Sequence, residues 1–189
     1  MLSPASMKSG LYAFLGFAFF TSAFAAGSAS NPGTDLPEVE TVDYVDLTRY
    51  VGKWYQIAFF PTRFQGSCTI DTTATYGIMD DGRVSVFNEC KKPSGKYKSI
   101  SGSAKIVDRD SNAKLKVKFF WFAPAGDYWI LELDENYQYA VVGSPDRKFL
   151  WILSRTPQIT TGLYQELVKR AGSQYFDVSK LQLTSTLLP

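Results

Sequence analysis

The residues of this 189-residue chain that could perform catalysis are few, because it contains no histidine. Ser-His-Asp and Cys-His nucleophile systems need an imidazole base, and zinc enzymes usually need imidazole as a ligand. Asp80 and Asp81 form the most obvious acidic pair, but Gly82 follows them, and Asp-Gly is a strong hairpin signal. We therefore expect a turn there, no catalytic residue, no metal site and no cofactor. Carboxylate or tyrosine chemistry stays open in principle.

Cys68 and Cys90 are the only two cysteines in the chain. Two thiolates are too few for a structural zinc site or an iron–sulfur cluster. In an exported protein they would most simply form a disulfide, which is worth about 3 kcal/mol for a loop of this length. The alternative is a reactive thiol, but no basic or imidazole partner is evident in the sequence.

The first 25 residues have the pattern of a secretory signal peptide. Lys8 is their only charge, an apolar run covers residues 11–20, and small residues end the segment near Ala25. The apolar run is shorter than the roughly 20 residues that span a bilayer. We expect cleavage near Ala25, an extended leader over residues 26–44 and one folded domain over residues 45–189.

Charge and cysteine position narrow the expected partners and location. The formal net charge of the whole chain is +2, so nothing points to a nucleic-acid partner. No lipobox cysteine lies near the expected cleavage site, so we do not expect a lipoprotein. We predict a soluble periplasmic or secreted protein, with outer-membrane association and transient membrane contact left open. The sequence does not decide between a monomer and a homodimer.

Eight short runs bounded by turn residues predict an all-β domain. They cover residues 53–60, 72–78, 83–89, 97–107, 113–120, 127–133, 137–142 and 148–154. Several alternate with period two, as half-buried strands do. The short connections favour an eight-stranded antiparallel up-and-down barrel, because closure removes both unpaired edges. A barrel of this size can hold one small ligand.

A helix is predicted after the last strand. Thr160 can cap it, residues 161–171 form it and Gly172 ends it. Four apolar residues recur at helical spacing and form one face: Leu163, Leu167, Val168 and Ala171. We expect this face to pack against the outside of the barrel. A strand-like piece over residues 175–183 should then return along an edge.

Two separated motifs carry a resemblance to a known family. Gly52-Lys53-Trp54-Tyr55 resembles the first signature of the lipocalins, and residues 150–157 resemble the most specific later one. Residues 80–86 and 143–147 resemble segments of the branch that contains bacterial lipocalin and apolipoprotein D. The resemblance runs from about Val45 to Leu183. It implies a lipocalin barrel with the helix packed outside.

The resemblance also implies structural roles. Gly52, Trp54 and Arg155 would form the structural signature, with the indole closing the narrow end and the guanidinium across it. Such a cation–π contact is worth about 1–2 kcal/mol when desolvated. The connection over residues 61–71 would be a lid at the open end, tied down by Cys68. Neither Trp54 nor Arg155 would touch the ligand.

Alternation predicts which side chains face the inside of the barrel. If Trp54 points inward, every second residue along the strands does so, while Tyr55 and Ile57 lie outward under the helix. The predicted ligand-facing residues are Gln56, Ala58, Phe60, Val84, Val86, Asn88, Leu115, Val117 and Phe119. Ordinary core packing is the alternative interpretation for each of them.

A mainly apolar interior suits a hydrophobic small molecule. We expect the protein to bind a fatty acid or lysophospholipid, for lipid transport, storage or membrane maintenance, and not to be an enzyme. The alternatives are a lipid- or pigment-modifying enzyme on the same barrel and a haem or avidin-like binder. The helix after the last strand argues against an avidin-type barrel.

Overall fold

The computed structural model of the protein describes residues 36–62, 70–184 and 187–189. The predicted signal peptide, most of the predicted lid and Cys68 lie outside these residues. The N-terminal part of the predicted leader also lies outside them. Residues 36–46 contain no helix or strand, but Val39 and Val45 are buried and the Val42 N–H donates to the Ile130 carbonyl at 3.0 Å. The last part of the leader therefore packs on the folded domain.

Eight antiparallel strands form a closed barrel, as predicted. The sheet closes because β1 pairs with both β2 and β8, while each other strand pairs with its neighbours in sequence. A short helix, α1, precedes the barrel, and a longer helix, α2, and a two-residue strand, β9, follow it. The elements are α1 (Leu47–Tyr50), β1 (Gly52–Phe59), β2 (Ile70–Ile78), β3 (Val84–Lys91), β4 (Tyr97–Ile106), β5 (Lys114–Lys118), β6 (Gly126–Leu133), β7 (Tyr139–Gly143), β8 (Leu150–Ser154), α2 (Thr161–Ser173) and β9 (Gln182–Leu183).

The meander order places alternate connections at opposite ends of the barrel. The hairpin turns over residues 79–83, 107–113 and 134–138 lie at one end, which we call the closed end. The connections over residues 92–96, 119–125 and 144–149 lie at the other, the open end. The predicted Asp-Gly turn is confirmed, since Gly82 has φ +77° and its N–H donates to the Met79 carbonyl at 2.9 Å.

Two apolar clusters lie on the two faces of the sheet. The inner cluster fills the barrel toward the closed end and includes Trp54, Val84, Leu115, Ile130 and Leu153. The outer cluster lies between the barrel wall and α2, and it includes Ile57, Ile152, Leu167, Ala171 and Phe176. The prediction that the helix packs outside the barrel is confirmed.

A β-bulge in β1 makes two of the inward predictions wrong. Gln56 lies opposite Leu153 on β8, whereas Ala58 lies opposite the next residue, Ile152, so Ile57 is an extra residue on β1. An extra residue reverses which side chains face inward beyond that point. Ala58 and Phe60 therefore belong to the outer cluster under α2, and not to the interior.

The end of α2 also differs from the prediction. The helix continues through Gly172 to Ser173, and Tyr175 instead adopts the left-handed conformation, with φ +65°. The Phe176 N–H donates to the Ala171 carbonyl at 3.3 Å, and the Tyr175 N–H donates to the Gly172 carbonyl at 2.9 Å. This is a Schellman arrangement with tyrosine in the usual glycine position. Phe176 and Ala171 are both buried in the outer cluster, and their contact favours the reversal.

The chain after α2 is mostly not a strand. A 3₁₀ turn covers Val178–Lys180, and only Gln182–Leu183 extends. Leu183 lies opposite Ala58 on β1, so the predicted return along the sheet occurs over two residues. The predicted helix cap is present, because the Thr160 hydroxyl accepts a hydrogen bond from the Leu163 N–H at 3.2 Å.

Candidate functional site

A cavity of about 410 Å³ occupies the half of the barrel nearer the open end, and it opens between the open-end connections. Much of its wall is apolar side chain from five strands: Ala74, Val86, Ile100, Val117, Trp151 and Leu153. This volume lies within the range of roughly 300–1,000 Å³ that is usual for small-molecule sites. The barrel therefore encloses space for one ligand.

Five of the nine predicted inward residues line the cavity. They are Gln56, Val86, Asn88, Val117 and Phe119. Val84 and Leu115 point to the same interior but lie deeper, packed in the inner cluster. Ala58 and Phe60 lie outside the barrel because of the β-bulge in β1.

Other wall residues were missed by sequence reasoning although a signal for them existed. On β2, Thr72, Ala74 and Tyr76 line the cavity at period two. Trp151 and Leu153 do the same on β8, on either side of the outward Ile152. Applying the alternation argument to all eight strands would have found these residues.

Three hydrogen-bonded tyrosines, which we call the tyrosine floor, close the inner end of the cavity: Tyr76 and Tyr128 line it, and Tyr50 packs behind them in the inner cluster. The hydroxyl oxygen of Tyr128 lies 2.8 Å from that of Tyr50 and 3.0 Å from that of Tyr76. Burial raises the pKa of Tyr76 to about 12, and burial raises the pKa values of Tyr50 and Tyr128 well above their ordinary range. At neutral pH all three are therefore neutral phenols that hydrogen-bond to one another.

Polar groups are also present in the cavity wall nearer the open end, on β1, β2 and β3. The Gln56 side-chain amide donates to the Thr184 hydroxyl at 2.8 Å. Within the described residues, the Thr72 hydroxyl oxygen and the Asn88 amide oxygen are buried and have no hydrogen-bond partner. Unpaired buried polar atoms are costly, so a ligand that bonds to them gains affinity. Lys98 lies at the rim of the same cavity.

The closed end is sealed by Trp54 and Arg155. The indole is fully buried, its N–H donates to the Tyr50 carbonyl at 2.8 Å, and the Arg155 guanidinium lies 3.9 Å from the ring centroid. That guanidinium also donates to the Lys53 carbonyl at 3.0 Å and to the Val51 carbonyl at 3.0 Å. The cation–π contact implied by the resemblance is present, and Trp54 and Arg155 lie apart from the cavity wall.

Gly52 is required at this closed end by its backbone. It has φ +97°, and a Cβ at this position would lie 3.3 Å from Arg155 Nη1. A side chain would therefore be both strained and crowded against the arginine. The three residues of the predicted structural signature are brought together.

Family comparison agrees with this geometry. The sequence profile of the lipocalin-like domain matches residues 45–186, which include both the Trp54 and the Arg155 motif. The chain belongs to the lipocalin family. Lipocalins bind small hydrophobic molecules, and the barrel described above encloses a cavity large enough for one.

Curated relatives place this lipocalin in the predicted branch. It is 46% identical over 158 residues to temperature-induced lipocalin-1 of Arabidopsis thaliana, covering 80% of this chain and 84% of the relative. It is 41% identical over 162 residues to the outer membrane lipoprotein Blc of Escherichia coli K12, covering 85% and 89%. It is 32% identical over 167 residues to apolipoprotein D of Bos taurus, covering 85% and 86%.

Solved structures show the same fold. Insecticyanin from the tobacco hornworm Manduca sexta superposes with a TM-score of 0.62 at 25% identity, covering 79% of this chain and 85% of that one. The cockroach allergen Per a 4 superposes with a TM-score of 0.60 at 14% identity, covering 82% and 97%. The second likeness concerns the fold alone.

Two further observations concern the part of the chain that the structure describes. In it, no helix is both long and apolar enough to cross a bilayer. Cys90 is buried at the open-end part of β3 and lines the cavity, whereas its predicted partner Cys68 lies outside the described residues. The disulfide stays a prediction.

Proposed function

We propose that this lipocalin binds one long-chain fatty acid or lysophospholipid in the barrel cavity and carries it chemically unchanged. The observation that supports this most is the polarity of the cavity along the barrel axis. Its middle is lined by apolar residues such as Val86, Val117 and Trp151, whereas Lys98 lies at the rim, opposite Cys90 of β3. Glu89 and Asp127 also border the cavity, but they occupy outward positions of β3 and β6. An amphiphile with an acyl chain and an anionic head fits this arrangement.

The polar residues of the wall suit the head of such a ligand. Asn88 and Thr72 lie toward the open ends of β3 and β2, and both carry buried oxygen atoms without a described partner. The Thr72 hydroxyl can donate to a carboxylate or phosphate oxygen, whereas the unpaired amide oxygen of Asn88 can only accept, for example from a glycerol hydroxyl. The Lys98 ammonium supplies a charge of the right sign. The acyl chain would then extend down toward the tyrosine floor.

The tyrosine floor favours lipid over haem. Haem iron is held by tyrosine as a tyrosinate in some proteins. Tyr50, Tyr76 and Tyr128 bond to one another through their hydroxyl oxygens, so an iron ligand here would have to break this hydrogen-bonded group. Neutral phenols at the end of an apolar cavity instead limit how long a chain can enter.

The location we propose is outside the cytoplasm. A relative that is 41% identical is an outer membrane lipoprotein, and the first 25 residues of this chain have signal-peptide character. We propose a soluble periplasmic or secreted carrier for lipid transport, storage or membrane maintenance.

Mass spectrometry of the molecules that co-purify with the protein from its native host tests the function. We expect one lysophospholipid or fatty acid per barrel. A second measurement incubates the ligand-free protein with that lipid and recovers it. Recovery of a chemically altered lipid would support the enzyme alternative, and co-purification of a pigment or haem instead of lipid would contradict the proposal.

A further inference from the structure

The connection between β5 and β6 presents aromatic side chains to solvent. Trp121 is 87% exposed, Phe122 71% and Phe120 49%. The rings of Phe120 and Phe122 stack with centroids 5.4 Å apart, and Trp121 meets Phe122 edge-on at 5.6 Å. We call residues 119–125 the aromatic loop. Contiguous exposed apolar surface of this kind is uncommon on soluble proteins and marks an interaction site.

Lysines lie beside this loop at the same end of the barrel. Residues 91–98, which include the β3–β4 connection, contain no acidic residue and four lysines: Lys91, Lys92, Lys96 and Lys98. Lys118 ends β5 directly before the aromatic loop. Among the described residues, none of these five lysines has an ion-pair partner. We call them the open-end lysines.

The closed end has the opposite charge. Its three hairpin turns contain the arginines Arg83 and Arg109 and six carboxylates: Asp80, Asp81, Asp108, Asp110, Asp134 and Glu135. Counted over the connections alone, the open end carries a net positive charge, from Lys92, Lys96, Arg147 and Lys148 against Asp146. The hairpin turns of the closed end carry a net negative charge, which Arg49, Lys53 and Arg155 beside them reduce. In the field of an anionic surface such a molecule turns its mouth toward that surface.

We propose that this lipocalin docks with its open end on an anionic lipid bilayer. Trp121 and Phe122 enter the interface between headgroups and acyl chains, where aromatic side chains are favoured. The open-end lysines contact the anionic headgroups, and each lysine near such a surface raises the partition coefficient about fivefold. A second copy of the chain fits this surface poorly, because it would bring an equally positive rim against it.

Docking in this orientation places the cavity against the lipid. Phe120, Pro124 and Lys98 line the cavity, and they also belong to the aromatic loop or to the open-end lysines. A lipid could therefore pass between the bilayer and the cavity without crossing bulk water. Docking itself needs no ligand in the cavity, so it can be tested independently of the proposed carriage.

The test is sedimentation of the mature protein with vesicles of phosphatidylcholine containing about one third phosphatidylglycerol, at low ionic strength. We expect binding to be at least about tenfold weaker for pure phosphatidylcholine, for the double variant Trp121→Ser/Phe122→Ser, and for Lys92→Glu/Lys96→Glu. Two controls match these changes elsewhere: Phe87→Ser on the outer barrel wall and Lys169→Glu on α2, both exposed. The controls should bind within about twofold of wild type.

Circular dichroism checks that each variant is folded, and fatty-acid binding in solution checks that its cavity is intact. A folded Trp121→Ser/Phe122→Ser variant that binds vesicles as wild type does would overturn the proposal. Equal binding of wild type to anionic and neutral vesicles would overturn the role of the lysines. A wild-type dimer that does not bind vesicles, and that this double variant converts to a monomer, would make the surface a protein interface instead.

Discussion

Arg155 covers the buried ring of Trp54 at 3.9 Å and at the same time bonds to the backbone carbonyls that lead into β1. This one side chain thus connects the end of β8 with the chain before β1 and with the Trp54 ring that seals the closed end. We expect Arg155→Ala to lower the free energy of unfolding by about 2 kcal/mol, a fall of roughly 4–8 °C in the unfolding midpoint. Thermal unfolding followed by circular dichroism measures this.

Ligand affinity provides the control for Arg155. The side chain lies at the opposite end from the cavity mouth, so fatty-acid affinity measured well below the midpoint should change less than about twofold. Arg155→Lys should recover only part of the stability, because lysine lacks the planar fork that reaches several carbonyls. A large loss of affinity with unchanged stability would place Arg155 in the binding site.

Gly52→Ala is expected to destabilise the protein by about 1–2 kcal/mol. The added Cβ must occupy a backbone conformation with φ +97° and lie 3.3 Å from Arg155 Nη1. Gly162→Ala is the matched control, since nothing lies within 4 Å of a Cβ there and alanine favours the first turn of α2. Equal midpoints for the two variants in urea unfolding would refute the role given to Gly52.

The barrel was predictable because its signals are local and repeat along the chain. Period-two runs separated by turn residues such as Asp81-Gly82 indicate antiparallel hairpins, and the Trp54 and Arg155 motifs indicate closure. The helix was predictable from its cap Thr160 and its apolar face. Its end was not, because the reversal at Tyr175 depends on burial of Phe176, which is a tertiary contact.

The candidate site was predictable only in part. Ile57 and Ala58 are both apolar, so no change of polarity in the sequence marks the bulge between Gln56 and Ala58. The tyrosine floor assembles from α1, β2 and β6, and sequence spacing alone does not bring Tyr50, Tyr76 and Tyr128 together. Phe119 and Phe120, at the start of the aromatic loop, were predicted as the end of the fifth strand, since aromatic residues have high strand propensity.

We predict that Cys68 and Cys90 are joined in the exported protein. Cys90 is buried and lines the cavity near the rim, so a bond from it to Cys68 would tie the β1–β2 connection to β3. Titration of unfolded, unreduced protein should find no free thiol, and reduction should release two. Two free thiols per chain before reduction would contradict the pairing.

Alkaline pH should destabilise the protein through the tyrosine floor. Burial raises the folded-state pKa of Tyr76 from 10.0 to about 12, so its contribution to stability is fully present below about pH 10 and is lost as the pH rises toward 12. Tyr128 and Tyr50 act in the same direction. Urea unfolding between pH 8 and 11 should show a falling free energy of unfolding above about pH 10.

Lysine side chains also lose their charge above about pH 10. A variant that lacks the Tyr76 hydroxyl separates the titration of Tyr76 from that of the lysines. Tyr76→Phe should cost about 1 kcal/mol at neutral pH, because the hydrogen bond to Tyr128 is lost. Above about pH 10 its stability should fall less steeply than that of wild type. An identical slope in the two proteins would show that Tyr76 does not titrate with a raised pKa.

A carboxylate placed in the cavity wall should abolish binding of the proposed ligand. Val117 lines the cavity, and in Val117→Asp an acyl chain would have to bury an unpaired charge, which is costly. In the wild-type protein, affinity should rise with chain length, since each buried methylene contributes up to about 0.8 kcal/mol, until the chain reaches the tyrosine floor. Isothermal titration with a series of saturated fatty acids measures both effects.

Phe87→Asp is the control that separates the inner face from the outer one. Phe87 is 41% exposed on the outside of β3, next to the inward Val86, so this carboxylate stays in water and binding should persist. Val117→Asp adds a charge near the inner cluster, so circular dichroism must first show that the variant is folded. If folded Val117→Asp bound fatty acid as tightly as Phe87→Asp, the proposed site would be wrong, because Val117 forms part of the cavity wall and Phe87 does not.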